Sequence, residues 1–326
     1  MTKNELKIIF FGTPDFAVES LRRLVDGGYN IAAVVTMPDK PAGRGRQLQQ
    51  SDVKRYAVEH SLPVLQPVSL KDEAFLEELR GYDAQLFIVI AFRMLPEAVW
   101  QMPPLGTFNL HASLLPRYRG AAPINWAVMN GDTETGVTTF FLKHEIDTGD
   151  VIQQRSCPIG RHDNVEAVHD RLMTMGADMV LETVDAIIDG TVKPIPQDQM
   201  LTAGQQPTPA PKIFKDTCRI DWNRPAEALF NHIRGLSPYP AAWTVLTDAS
   251  GEELTILKVY ETGEPEPFVN DESPMAGSIR ADRKTLRVAC GDGWLPLTSL
   301  QQSGKKRMET DAFLRGFSLQ PGTYCK

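Results

Sequence analysis

The chain has 326 residues, 42% of them hydrophobic, and a formal net charge of −7. That length suits two domains of about 100–200 residues each, no apolar run reaches the ~20 residues of a membrane-spanning helix, and the acidic balance excludes a globally basic nucleic-acid binder. Cys157, Cys218, Cys290 and Cys325 stand far apart without a C-x-x-C pair, which argues against a disulfide framework or a zinc site and for reduced thiols in a cytosol.

The N-terminus runs at once into residues 6–11, a nearly all-apolar stretch of the kind that forms a buried parallel strand, and leaves no room for a cleaved signal peptide. Gly12-Thr13-Pro14 then turns into a helix, with Thr13 predicted as N-cap, Pro14 at the first helical position and Asp15 facing the positive end of the dipole. Residues 31–36 and 85–91 read as further strands, the second central, and residues 107–110 and 136–142 follow with a helix over 123–130 between them. A long helical stretch over Val165–Ile188 ends at Gly190. Strands alternating with helices over the first 190 residues predict an α/β domain with a doubly wound, mostly parallel sheet.

The composition breaks after that. Pro194, Pro196, Pro207, Pro209 and Pro211 crowd residues 191–212, which predicts a semi-extended linker. A helix is expected over Ala226–Leu236 behind Pro225, then short strands near residues 243–246, 254–260, 278–279, 286–289 and 295–300. Residues 213–326 therefore read as a small β-barrel or sandwich.

The first turn, Gly12-Thr13-Pro14-Asp15-Phe16-Ala17, carries one glycine where a dinucleotide fingerprint needs three, so a nicotinamide oxidoreductase is disfavoured. The richest segment lies further on. Asn109 and His111 are two residues apart, hence on one face of a strand, and Ser113, Arg117, Arg119 and Gly120 follow, answered by Asp147-Thr148-Gly149. An amide polarises a carbonyl oxygen, an imidazole moves a proton near neutral pH, and a carboxylate orients the imidazole. Those roles are what acyl transfer to an amine requires. Taken singly, each residue has a plain reading as a turn, a half-buried histidine or an Asx-turn; their density at strand ends of an open α/β sheet favours a site. His144, His162 and His169 fit no zinc spacing, and no metal is expected.

Asn109-x-His111-x-Ser113-Leu114-Leu115-Pro116-x-x-Arg119-Gly120 with Asp147-Thr148-Gly149 closely resembles the folate-dependent formyltransferases. Gly12 to Ala17, Pro38-Asp39-Lys40-Pro41-Ala42-Gly43-Arg44-Gly45-Arg46, Ile220-Asp221-Trp222, Ile233-Arg234-Gly235 and Gly304-Lys305-Lys306 are similar to the branch that works on charged tRNA. The resemblance implies transfer of a formyl group from 10-formyltetrahydrofolate to the amino group of methionine on initiator tRNA. It also implies a catalytic trio of Asn109, His111 and Asp147 and a folate site including Ser113, Leu114, Leu115 and Pro116. Phe92-Arg93-Met94-Leu95 resembles the pterin-side loop of that family, and the resemblance implies a β-barrel of the oligonucleotide-binding (OB-like) type, a tRNA-binding domain, over residues 213–326. No Cys, Ser or Lys is placed as a nucleophile beside the histidine, so direct attack by the amine is expected. His111 is left with two possible roles, general base or protonated oxyanion donor.

An acidic chain must hold a polyanion by local patches. Lys40, Arg44, Arg46, Lys54 and Arg55 group around Gly43 and Gly45, whose backbone freedom suits a phosphate chain, and Lys305-Lys306-Arg307 form a second cluster. A solvated basic loop is the plain reading of the first patch; the resemblance implies that it reaches the acceptor end of the tRNA. The rival readings are a formyltransferase acting on another amine, such as a nucleotide-linked amino sugar or purine precursor, and an idle RNA-binding relative. The expected state is a cytoplasmic monomer.

Overall fold

A computed structural model describes residues 1–42, 47–201, 206–269 and 273–326. In chain order it contains β1 (Lys7–Gly12), α1 (Asp15–Asp26), β2 (Asn30–Val35), β3 (Lys40–Ala42), β4 (Gln47–Gln49), α2 (Asp52–Glu59), β5 (Val64–Leu65), α3 (Glu73–Gly81), β6 (Leu86–Ile90), α4 (Glu97–Trp100) and β7 (Thr107–His111). Next come β8 (Arg119–Gly120), α5 (Pro123–Met129), β9 (Glu134–Phe141), β10 (Val151–Pro158), α6 (Val165–Ile188), β11 (Pro209–Ala210) and α7 (Ala226–Leu236). The chain ends in β12 (Ala242–Thr247), β13 (Glu253–Thr262), β14 (Glu266–Pro267), β15 (Ile279–Ala281), β16 (Leu286–Ala289), β17 (Gly293–Gln302), β18 (Met308–Glu309), α8 (Thr310–Gly316) and β19 (Tyr324–Cys325). Two compact units result: Met1–Gly120, Thr135–Pro158 and His169–Ala210 form the first, and Ala121–Glu134, Ile159–Val168 and Pro211–Lys326 the second.

The first unit is built on a seven-stranded sheet in the order β10-β9-β7-β6-β1-β2-β5. The strands from β5 to β7 run parallel, and β9 pairs antiparallel with β7. Ile8 to Phe11 and every residue of β6 are buried because both faces of the sheet are covered, which is why these strands read as unbroken apolar runs. On one face Ile9, Phe11, Phe87 and Val89 pack with Phe75, Leu76 and Leu79 of α3. Leu110, on the opposite face of β7, meets Gly176 of α6, where an added Cβ would lie 2.7 Å from Leu110 Cδ2.

Helix α1 begins one residue later than the sequence predicts. Pro14, in extended conformation, is the N-cap, and no side chain caps the helix. Asp15 Oδ1 accepts the N–H of Phe16 at 2.9 Å, while Thr13 Oγ1 is buried without a partner, so Thr13 is not the cap. Helix α6 spans the predicted residues; Asn164 Oδ1 accepts the Ala167 N–H at 2.9 Å, and Gly190 (φ +66°) lets the chain leave it.

The proline-rich stretch expected as a linker is, over its described residues up to 210, part of the first unit. Ile195, flanked by prolines that lack N–H groups, still exchanges both its backbone hydrogen bonds with Val151 at 2.8 Å. Gln197 opens a short 3₁₀ turn and is buried, and β11 pairs parallel with β8.

In the second unit the strands follow the order β15-β16-β17-β13-β12-β19, with antiparallel pairing throughout. A bridge from Tyr324 to Ser278, beside β15, closes this path into a barrel. Leu229, Phe230, Ile233 and Leu236 of α7 fill it together with Leu246, Leu257, Val259, Leu286, Leu295 and Phe313. All four cysteines are buried free thiols, and among the described residues no helix is long and apolar enough to cross a membrane.

Candidate active site

β7 lies between β6 and β9, with Asn109 in register with Val89 on one side and Phe140 on the other. Strand alternation therefore puts Asn109 and His111 on the face that carries Val89, at the carboxyl end of a parallel strand. Asn109 is half-buried, and among the described residues its side-chain amide makes no hydrogen bond. His111 is 7% exposed and meets the Phe140 ring edge-on at 6.4 Å between centroids.

Two partners define the imidazole. Its Nε2 lies 2.8 Å from the Tyr118 carbonyl oxygen, and its Nδ1 lies 3.9 Å from Asp147 Oδ2. A carbonyl only accepts, so Nε2 carries a hydrogen and the neutral ring presents its lone pair at Nδ1. The ring is thus held from the side away from Asp147. At 3.9 Å the Asp147 carboxylate faces Nδ1 without bonding it directly.

Asp147 sits in the β9–β10 turn with φ +55°, a left-handed conformation that Asp tolerates better than most residues. Its Oδ2 accepts the Gly120 N–H at 2.9 Å. Gly120 itself (φ +127°) passes so close to β11 that an added Cβ would stand 2.5 Å from the Ala210 carbonyl oxygen. Gly149 is under a harder constraint, because a Cβ there would fall 1.6 Å from the Phe141 carbonyl oxygen.

Gln197 joins these pieces. Its Nε2 donates to the carbonyls of Asp147 (2.9 Å) and Gly149 (2.8 Å), and its Oε1 accepts from Arg119 Nη2 (2.7 Å) and Nε (3.1 Å). Burial lowers the Arg119 guanidinium below its ordinary value, while the charges of Asp147 and Glu145 act the other way. Sequence reasoning missed Gln197. Its partners lie 48 to 78 residues away and its bonds end on backbone carbonyls and a guanidinium, so no spacing signals it.

The other sequence-predicted residues divide. Ser113 is fully buried, and its hydroxyl is spent on the Arg117 carbonyl at 2.6 Å. Leu115 and Pro116 are buried across a cis peptide bond, and Leu114 is half-buried. The Leu115 N–H and carbonyl are held by Thr138 Oγ1 (3.2 Å) and Gln154 Nε2 (2.9 Å). Phe92 is half-buried against Phe11, Met94 is 67% exposed, and Arg93 donates to the carbonyls of Pro67 and Val68. Lys54 is paired with Asp39 at 2.6 Å and Arg55 with Asp52, which leaves Lys40 exposed at the head of its loop. Arg44 and Arg46 lie outside the described residues. In the second cluster Lys305 and Lys306 are exposed; Arg307 is held by Ser299 and Glu261 and covers the Tyr260 ring.

Comparison with known proteins sets this site in context. The formyl transferase family model matches residues 6–184, and the formyl transferase C-terminal domain matches residues 212–318. Over 320 residues the chain is 62% identical to the methionyl-tRNA formyltransferase of Bacteroides fragilis, covering 98% of this chain and 97% of that one. Over 322 residues it is 59% identical to the methionyl-tRNA formyltransferase of Bacteroides thetaiotaomicron, covering 99% of each. The N-formyltransferase of Helicobacter canadensis, solved in complex with folinic acid and dTDP-3-aminofucose, shares its fold at a TM-score of 0.66 and 18% identity, covering 91% of this chain and 99% of that one.

Proposed function

The chain belongs to the methionyl-tRNA formyltransferases of the formyl transferase family, and from that premise we propose that it moves a formyl group from 10-formyltetrahydrofolate to the amino group of methionine on initiator tRNA, in support of translation initiation. The observation that carries this reading is the division of the His111 ring: Nε2 is tied to the Tyr118 carbonyl, so Nδ1 alone remains for chemistry, with the Asp147 carboxylate before it. The names of the close relatives supply the methionyl-tRNA, and the folinic acid of the Helicobacter structure supports a folate donor.

In this reading the amine attacks the formyl carbon and the carbonyl becomes a tetrahedral oxyanion. The Asn109 amide N–H is the donor for that oxygen, a type of contact worth roughly 10²–10³ in rate. His111 Nδ1 takes the proton that the attacking amine releases, and the imidazolium then has Nδ1–H toward Asp147 and Nε2–H on Tyr118. The same proton goes to the departing folate nitrogen as the tetrahedral species collapses, so the ring ends neutral and no covalent enzyme intermediate forms. Ser113 to Pro116, Phe92 and Met94 are assigned to the folate side. Lys40, Arg44, Arg46, Lys305, Lys306 and Arg307 are assigned to the tRNA phosphates.

The test offers the purified chain and the folate donor two acceptors, methionyl initiator tRNA and a nucleotide-linked amino sugar. Formylmethionyl-tRNA is expected from the first and no product from the second. The opposite pattern removes the tRNA assignment while leaving a formyltransferase.

A further inference from the structure

Within the turn Thr148 Oγ1 donates to the Glu145 carbonyl at 3.0 Å and Lys143 pairs with Asp150 at 2.6 Å, but neither bond reaches Asp147 itself. Asp147 occupies a left-handed backbone conformation, its carboxylate rests on one N–H from Gly120, and no hydrogen bond joins it to the His111 ring it faces. The tie on the Asp147 backbone comes from the proline-rich segment. Gln197 is 3% exposed, and its amide is saturated: two N–H groups go to the carbonyls of Asp147 and Gly149, and the oxygen takes two N–H groups of Arg119. Arg119 is the residue before Gly120, whose N–H holds the Asp147 carboxylate. Backbone and side chain of Asp147 are therefore tied to the same two-residue strand, β8.

We propose that Gln197 is a positioning residue for the reaction, clamping the Asp147 turn to β8 so that the carboxylate stays before His111 Nδ1. The inference rests on the assignment of Asn109, His111 and Asp147 made above. The chemistry asks for Gln in particular. Asn is one methylene short, Glu offers no hydrogen to the two carbonyls, and Met offers no donor and only a weakly accepting sulfur, leaving the carbonyls of Asp147 and Gly149 without partners. The β10 edge supplies the anchor for this arm, through the paired backbone of Ile195 and Val151 two residues before Gln197.

A double-mutant cycle separates positioning from mere support of the fold. Gln197→Met should lower kcat by about 10- to 100-fold, the scale of a small misplacement of a catalytic group, with KM for tRNA and folate within about twofold of the parent. In an Asp147→Asn background the same change should cost less than about twofold more, because the carboxylate that Gln197 positions is gone. Gln197→Glu keeps the side-chain volume and the Arg119 contact, and should show the same loss confined to kcat; it carries the test if Gln197→Met does not accumulate. A Gln197 variant with parental kcat, a loss that appears in KM alone, or a full independent loss on top of Asp147→Asn overturns the inference. If Asp147→Asn alone leaves kcat unchanged, the trio assignment falls and the inference falls with it, a result that the single Gln197 variants cannot mimic.

Discussion

His111 Nε2 is spent on the Tyr118 carbonyl at 2.8 Å, so deleting the ring removes an anchor of the loop as well as the nitrogen proposed to move the proton. Asn109 is the cleaner probe, since its amide carries no internal hydrogen bond among the described residues. Asn109→Ala should lower kcat by roughly 10²–10³ with little change in KM or in the unfolding midpoint, as expected of a donor used only in the transition state. A loss expressed mainly in KM would make Asn109 a ground-state contact instead. A second histidine shows the opposite economy. His232 on α7 is 6% exposed, its Nε2 has no partner, and its pKa is lowered to about 4, first by burial and then by the nearby Arg224. Because the folded value lies below the ordinary 6.5, the unfolded chain binds the extra proton between them. The stability contributed by the neutral ring is complete above pH 6.5 and is lost as pH falls toward 4, in total about 3 kcal/mol. Denaturant unfolding at pH 7, 5.5 and 4.5 should show that decline, and His232→Met should flatten it by one proton. Equal slopes for the two proteins would mean that other groups carry the acid sensitivity.

At the scale of elements, the β9–β10 turn is where fold and chemistry meet most tightly. Gly149→Ala would drive a methyl group into the Phe141 carbonyl, so the turn must open. Unfolding free energy should drop by about 1–3 kcal/mol, and kcat should fall even well below the unfolding midpoint, because Asp147 lies two residues earlier. Full kcat in a destabilised Gly149→Ala protein would show that the turn tolerates the shift. The same elements show what the sequence discloses. The apolar runs of β1 and β6 and the long periodicity of α6 are legible because burial on both faces, or along a whole stripe, dominates their composition. Helices α2 and α3, of eight and nine residues, are too short to announce themselves although Ser51 and Asp72 cap them. Strand β10 is equally hard to see, since its middle, Gln153 to Ser156, is polar and none of those four residues is buried. Thr13 reads as a cap because sequence shows which residues can cap, and not that Asp15 and the Pro14 carbonyl reach the first N–H groups instead. Asn109, His111 and Asp147 can be picked out by residue type and spacing. The hold of Tyr118 on the ring and of Gln197 on the turn cannot, because backbone carbonyls carry no residue signature.

Over the whole molecule, 41 acidic residues stand against 34 Lys and Arg, so the long-range field repels a polyanion and binding must come from short-range patches. Within the Lys305-Lys306-Arg307 cluster the three side chains are not equivalent. Arg307 is committed to Glu261, Ser299 and the Tyr260 ring, whereas Lys305 and Lys306 are exposed on the turn between β17 and β18 and carry no ion pair among the described residues. If these lysines neutralise tRNA phosphates, each releases condensed counterions on binding. Replacing both with Ala should therefore make the plot of log KM for tRNA against log salt shallower by about 0.7–0.9 for each phosphate no longer neutralised, while KM for the folate donor stays put. Arg307→Ala should instead act mainly on the unfolding midpoint, since it removes a side chain held by Glu261, Ser299 and the Tyr260 ring. A salt slope unchanged in the double lysine variant would remove this patch from the tRNA interface. The task of overcoming the overall negative field would then fall on the other proposed patch, and the same salt titration on Arg44→Ala and Arg46→Ala tests the phosphate contacts proposed for those arginines.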